Sequence, residues 1–203
     1  LLLQAPDIKL LGDGAIDADG YIDPSVEACR KMTDLFNLRS DELTVARSNS
    51  RAVNQFPHEW RMATYSFNYL PMLNEKGHID TKQAELPAHL DMVEKIKESK
   101  EPVTLVMTGP LTDLARALDT DPDIEKNIDM LYWMGGSLDG HGNVAIVNAD
   151  GCQDWTAFWD PYAIKRVFDS NIKIQMVGLE STEELPLNDE LRQHWASLRR
   201  YPA

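Results

Sequence analysis

Val103-Thr104-Leu105-Val106-Met107-Thr108-Gly109-Pro110-Leu111-Thr112-Asp113-Leu114-Ala115 is the stretch whose reading decides the fold. Residues 103–107 are a short, mostly apolar run closed by Thr108-Gly109-Pro110, the pattern of a buried strand that ends in a turn. Residues 111–118 then bring Leu111, Leu114, Ala115 and Leu118 to one face of a helix, with Thr112 in the position of an N-cap. The same grammar repeats outward. Downstream, 130–134 reads as a second buried strand ending at Gly135-Gly136, 161–168 as a helix and 172–177 as a third strand. A last helix over 188–199 carries Leu191, Trp195 and Leu198 as its apolar stripe. Upstream, 90–98 is a helix with Leu90, Val93 and Ile96 inward, and 43–46 is a short strand. Residues 24–36 form a helix opened by Pro24, 8–11 a strand, and 72–86 a polar surface excursion. Alternating strands and helices predict an α/β fold with a Rossmann-like core: a mostly parallel sheet flanked by helices, in one domain over 1–203. In such sheets ligands bind beyond the carboxyl ends of the strands, so the loops there carry the functional reading.

Composition narrows the partners. The chain has 203 residues, 43% of them hydrophobic, and a formal net charge of −13. A negative field of that size argues against nucleic acid and against anionic substrates, and no apolar run is long enough to cross a membrane. Cys29 and Cys152 make no CxxC and no metal-ligand spacing. They read as two reduced, buried thiols, which points to a reducing, cytoplasmic setting. The opening Leu1-Leu2-Leu3-Gln4 and the closing Tyr201-Pro202-Ala203 are both abrupt, so the chain reads as an internal piece of a longer protein, incomplete at both ends.

The strand-end loops are 17–23, 50–61, 108–111, 135–160 and 180–184, and the first four hold the readable chemistry. Asp17-Ala18-Asp19 sets two carboxylates on alternate positions, suited to a diol or a cation, or else simply to a turn. Phe56-Pro57-His58-Glu59-Trp60-Arg61 pairs an indole with a carboxylate, which suits a flat heterocycle; a buried structural Trp is the competing reading. Thr108-Gly109-Pro110 is not a phosphate-binding Gly-Lys-Ser/Thr loop, but its carbonyls could ligate a hard cation. The stretch 135–160 is a long loop rich in Gly, Asn and aromatics, of a kind that chains keep when it binds something. Within it, His141 is isolated and reads as solvent-exposed, and no GxSxG elbow or Cys/His cluster is present.

Taken together the loops resemble the calcium-dependent nucleoside hydrolases. The likeness lies in 106–115, in Tyr132-Trp133-Met134-Gly135-Gly136, in Gly142-Asn143 and in 155–161. Asp17-Ala18-Asp19 and Phe56-Pro57-His58-Glu59-Trp60-Arg61 are similar to the purine-preferring branch in particular. The resemblance implies a glycosidase that hydrolyses the N-glycosidic bond of purine ribonucleosides to free base and ribose, a step of purine salvage. Asp19 and Trp60 would be catalytic positions, with Trp60 stacking on the leaving purine. Asp19, Glu59, Trp60, Met134, Asn143, Asp154, Trp155 and Thr156 would bind the nucleoside, and Thr108 would give its backbone carbonyl to Ca²⁺.

Two departures follow from the same resemblance. The family's aspartate-rich opening, of the type Asp-x-Asp-x-Gly-x-Asp-Asp, would precede Leu1, and a further calcium aspartate would follow Ala203. Asp154 and Thr156 stand where the family has Glu and Asn. A second reading therefore keeps the fold as a catalytically inactive scaffold or subunit of a larger assembly, and a third as a nucleoside-binding module. The expected partners are a small-molecule nucleoside and either copies of the same chain or other subunits, with no nucleic acid and no membrane.

Overall fold

The computed structural model describes residues 5, 7–36, 43–147 and 149–198. Arg199 and the chain's abrupt ends at Leu1 and Tyr201-Pro202-Ala203 lie outside the described residues.

The deciding stretch folds as read. β3 (Val103–Met107) alternates, with Val103, Leu105 and Met107 packed on the core and Thr104 and Val106 on the opposite, open face. A tight turn leads into α5 (Thr112–Thr120), whose Leu114, Ala115, Ala117 and Leu118 are all buried. β4 (Ile128–Met134) follows a 3₁₀ segment, Pro122–Asn127, and β5 (Ile174–Val177) follows α7 (Pro161–Phe168). All three strands are parallel, in the order β3-β4-β5, with Leu105 opposite Leu131 and Leu131 opposite Ile174.

The main core lies between this sheet and the helices α4 (Ala88–Glu98), α5 and α7, around the fully buried Leu111, Leu114, Leu118, Leu131, Trp133 and Val167. Truncating one of these leucines to Ala should cost about 2–5 kcal/mol. Asp160 holds the start of α7 by accepting from Ala163 N at 3.0 Å, with Pro161 as its first residue.

A second, smaller parallel sheet joins β1 (Asp13–Ala15) to β2 (Val45–Arg47), with α1 (Ile22–Leu35) packing Val26 against Ala15 and Val45. α2 (His58–Asn68) and α3 (Pro71–Asn74) follow, and short helices α6 (Trp155–Trp159), α8 (Leu179–Glu183) and α9 (Asp189–Ser197) complete the described chain. The fold class is thus an α/β arrangement of parallel sheets flanked by helices.

Several expectations need correction. Residues 8–11 are not a strand: the pairing partner of β2 is Asp13–Ala15, so register selected a polar segment over an apolar one. The excursion at 72–86 is not purely surface, because Leu73 and Thr81 are buried and Gln83 bridges to Val45 in parallel. Thr112 is not an N-cap; Leu111 stands there, and the Thr112 hydroxyl donates instead to Asp160 Oδ2 at 2.7 Å. Both cysteines are free, but Cys152 is exposed rather than buried. The stripe on α9 is not a buried face: Leu191 is half-buried, and Trp195 and Leu198 are more than half exposed.

Candidate active site

The loops singled out by the strand-end rule meet around one aromatic cluster. Ala18, Phe56, Val144, Trp155 and Trp159 are buried together, with Ile16, Ala52 and Phe158 packed against them. These residues come from the loop after β1, the segment before α2, the long loop after β4, and α6.

Trp155 is the node of this cluster. Its ring lies 5.2 Å from Phe56 in a stacked arrangement, 5.2 Å from Trp60 edge-on and 5.7 Å from Phe158. Its backbone N–H donates to Asn143 Oδ1 at 3.0 Å, a bond that uses the amide oxygen of Asn143 and not its nitrogen. The indole Nε1 atoms of Trp155 and of Trp159, in the same cluster, are both buried with no hydrogen-bond partner among the described residues; of the two, Trp155 lies beside the exposed Trp60. A buried donor left unmade costs on the order of 1–3 kcal/mol, so a ligand acceptor there would recover free energy. Trp60 is 47% exposed and leaves a ring face to solvent beside Trp155.

Asp154 and Thr156 flank Trp155 and are buried with it. Asp154 caps α6: its Oδ1 accepts from Ala157 N at 3.0 Å and from Gly136 N at 2.8 Å. One carboxylate oxygen thus joins the Gly135-Gly136 turn at the end of β4 to α6, and neither bond uses Oδ2. Gly136 has φ 79, a conformation that L side chains rarely adopt, so a residue with a Cβ would disturb this junction.

Thr108 and Met134 sit at the ends of neighbouring strands. Thr108 is exposed, and Met134 is half-buried. Trp133 Nε1 donates to the Gly109 carbonyl at 3.2 Å, which ties the two strand ends together. A Cβ placed on Gly109 would lie 3.6 Å from Ile16, so the Thr108 turn also abuts the aromatic cluster. Behind it, Asp113 Oδ1 accepts from the hydroxyls of Ser48 at 2.9 Å and Ser50 at 2.7 Å, joining the end of β2 to α5.

The paired carboxylates of the first loop do not act alike. Asp17 is half-buried in an ion pair with Arg61, whose guanidinium also lies 4.1 Å over the Tyr21 ring, whereas Asp19 is exposed. Residues 17–20 bend rather than extend, which breaks the alternation that would have aligned the two side chains. Glu59 is exposed in the first turn of α2, and the Tyr21 hydroxyl shares a 2.5 Å hydrogen bond with His58 Nδ1. Sequence reasoning missed the Asp17–Arg61 and Tyr21–His58 pairings. The one available signal was that Arg61 and His58 lie inside the aromatic motif already singled out. His141 is exposed, as expected. A separate shallow pocket lies on the outer part of the long loop, lined by Ile146, Val147, Asp150, Gln153 and Phe158.

For a calcium ion the fit is incomplete. Calcium takes about 6–8 oxygen ligands. Thr108 offers one backbone carbonyl, and among the described residues no cluster of three or more His, Cys, Asp or Glu is placed to hold a metal. The described residues do not by themselves make such a site.

Parallel sheets with substrate-type loops gathered at their strand ends define a class, and comparison with known proteins gives it a name. The family model of the inosine-uridine preferring nucleoside hydrolases matches residues 1–203, and the chain belongs to that family. Among solved structures it is similar to the inosine-uridine preferring nucleoside hydrolase from Bacillus anthracis, with 44% identity and a TM-score of 0.93. That match covers 98% of this chain and 66% of the Bacillus chain.

The pyrimidine-specific ribonucleoside hydrolase RihA of Shewanella woodyi is 39% identical over 99 residues, which are 49% of this chain and 30% of that relative. A purine-preferring ribonucleoside hydrolase from Gardnerella vaginalis, at 24% identity and a TM-score of 0.73, shares the fold. The family is therefore as expected, but the purine-specific branch is not supported: the relative at 39% identity is named pyrimidine-specific, and the purine-preferring one, at 24%, shows the fold alone. No helix among the described residues is long and apolar enough to cross a membrane.

Proposed function

We propose that this chain forms the greater part of the nucleoside site of an N-ribohydrolase that cleaves ribonucleosides to free base and ribose. One observation carries the reading: Trp155 joins Asn143 through its backbone and Trp60 through its ring, while its own buried indole N–H lacks a partner. A nucleoside is a polar sugar joined to a flat heterocycle, and this node offers amide and carboxylate groups on one side and an aromatic face on the other.

The reaction adds water across the C1′–N bond. The bond's electrons leave with the base, which takes a proton, and the water oxygen bonds to C1′ as cationic character on the ribose collapses. Trp60 holds the departing base by stacking, and Trp155 Nε1 is the donor available to an acceptor on the ligand. Asn143 and Asp154 grip the sugar, the first through its amide nitrogen and the second through Oδ2, with Thr156 and Met134 completing the sugar pocket. Asp19 and Glu59 lie on the exposed rim, where they orient the nucleoside. The net charge of −13 suits a neutral substrate. A calcium ion, when bound, would hold sugar hydroxyls and acidify a water; Thr108 would contribute its carbonyl, with the remaining ligands coming from outside the described residues.

We assign the preference to purines, because the half-exposed indole of Trp60, itself two fused rings, matches the width of a purine better than that of a pyrimidine. The pyrimidine-specific name of the Shewanella relative favours the opposite preference. The exchange of a family Glu and Asn for Asp154 and Thr156, with Asp154 Oδ1 already bound to two backbone N–H groups, favours the inactive-scaffold reading. The test is base release from inosine and from uridine by the full-length protein with added Ca²⁺, read by chromatography. Faster turnover of inosine supports the assignment, faster turnover of uridine reverses the preference, and turnover of neither gives the scaffold reading.

A further inference from the structure

Glu180 lies in the first turn of α8, just beyond the carboxyl end of β5. Its Oε1 accepts from Leu138 N at 2.5 Å and from Asp139 N at 3.0 Å, and lies 2.9 Å from the Ser137 hydroxyl. That hydroxyl has one proton and three acceptors in reach, Glu180, the His141 carbonyl at 2.7 Å and Asp139 Oδ1 at 3.2 Å, so the two backbone N–H groups carry most of the latch. One carboxylate oxygen from the end of β5 therefore gathers three consecutive residues of the loop that leaves β4.

What the gathered loop touches gives this arrangement its meaning. Gly136, immediately before Ser137, donates its N–H to Asp154 Oδ1. At the loop's other end Asn143 N donates to the Gln153 carbonyl at 2.9 Å, and Asn143 Oδ1 holds Trp155 N. Between these anchors the backbone turns at Gly136 and Gly140, both at positive φ, so the segment has the freedom to take other paths once released. Backbone bonds from Leu179 N to the Gly136 carbonyl and from Gly135 N to the Val177 carbonyl fix only its root. The middle of the loop is exposed, with Leu138 82% accessible, so burial does not hold it in place.

We infer that Glu180 is a positioning residue for the nucleoside site: by latching residues 137–139 it sets Gly136 against Asp154 and presents Asn143 to the sugar. This rests on the functional reading above. The backbone N–H groups of Asp139, of Glu180 itself and of Leu138, with the Ser137 hydroxyl, draw the Glu180 carboxyl down to about 2, so the latch stays charged across the working pH range.

The experiment is a double-mutant cycle in the full-length protein, using Glu180→Ala and Asp154→Ser, with inosine and uridine as substrates. Serine keeps a helix cap for α6 but withdraws the carboxylate from Gly136. If Glu180 acts through Asp154, Glu180→Ala lowers kcat/KM by about tenfold or more, chiefly through KM, because displacements near 1 Å at a site cost up to about a hundredfold. In the Asp154→Ser background the same change then costs less than about threefold, since residues that share partners do not add. Glu180→Gln, which keeps an acceptor oxygen at the same reach, recovers part of the loss.

Hydrogen exchange at Leu138 and Asp139 should accelerate in Glu180→Ala while exchange in β4 stays slow; this readout, with Glu180→Gln, carries the test if the alanine variant folds poorly. An equal loss in both backgrounds, an unchanged KM, or unchanged exchange at 138–139 overturns the inference. If the unaltered protein turns over neither nucleoside, the functional reading fails, and the exchange measurement alone then decides whether the latch exists.

Discussion

Replacing Trp60 by Ala separates a stacking face from a structural tryptophan. Trp60 is 47% exposed and meets Trp155 edge-on at 5.2 Å. Losing that pair together with the buried half of the indole should cost about 2–4 kcal/mol of stability. At roughly 2–4 °C per kcal/mol for a chain of this size, the melting temperature falls by no more than about 16 °C. A base stacked on an aromatic ring is worth about 1–3 kcal/mol. At about 1.4 kcal/mol per tenfold, its loss lowers kcat/KM for inosine by about fivefold to a hundredfold. Uridine, with a smaller ring, should lose less. The assay is steady-state kinetics on both nucleosides beside a thermal melt of the same preparation. Equal losses for inosine and uridine, or a fall in the melt well beyond about 16 °C with unchanged kinetics, would refute the stacking role and leave Trp60 as packing.

Three further outcomes follow from the geometry. Asp113→Ala strips Ser48 and Ser50 of a shared buried acceptor, and should lower stability in urea by about 3–5 kcal/mol, with Asp113→Asn costing less. Gly142→Ala drives a Cβ to 2.2 Å from the Gln153 backbone, so it should displace Asn143, weaken nucleoside binding and cost about 1–3 kcal/mol in the same urea measurement. A thiol reagent at pH 8 should label the exposed Cys152 quickly and leave Cys29 unreacted in the folded protein. Burial, reinforced by the charge of Asp13 and a hydrogen bond to it, pushes the Cys29 thiol up to about 12, leaving little thiolate. Mass spectrometry of the labelled peptides reads both.

The central sheet was legible because its strands are buried runs closed by glycine turns: 103–107 and 161–168 match their observed elements end to end. The smaller sheet was not, because β1 is a three-residue polar segment selected by its partner β2 rather than by its own pattern. The helix at 58–68 escaped notice for a related reason. Trp60, Met62, Tyr65 and Phe67 are all substantially exposed, so no apolar stripe marks a buried face. The rule that ligands gather at strand ends singled out loops that do come together, at Phe56, Trp60, Asn143 and residues 154–156. What the sequence could not show is which polar groups are already engaged. Asp154 reads as a sugar ligand, yet half its carboxylate is bound to backbone N–H groups. The strand-end rule singles out 180–184 without giving Glu180 a role, yet its carboxylate gathers a loop 41 to 43 positions away. Such roles depend on where the backbone donors of distant loops arrive, which residue type and spacing do not encode.

The central claim is that Trp60, Trp155 and Asn143 line one cleft that holds a ribonucleoside. Its most direct test is a structure of the full-length protein soaked with inosine. The account predicts the base against Trp60, an acceptor of the ligand within hydrogen-bond distance of Trp155 Nε1, and the ribose at Asn143 and Asp154. A nucleoside bound elsewhere, with that indole N–H still unpartnered, would contradict it.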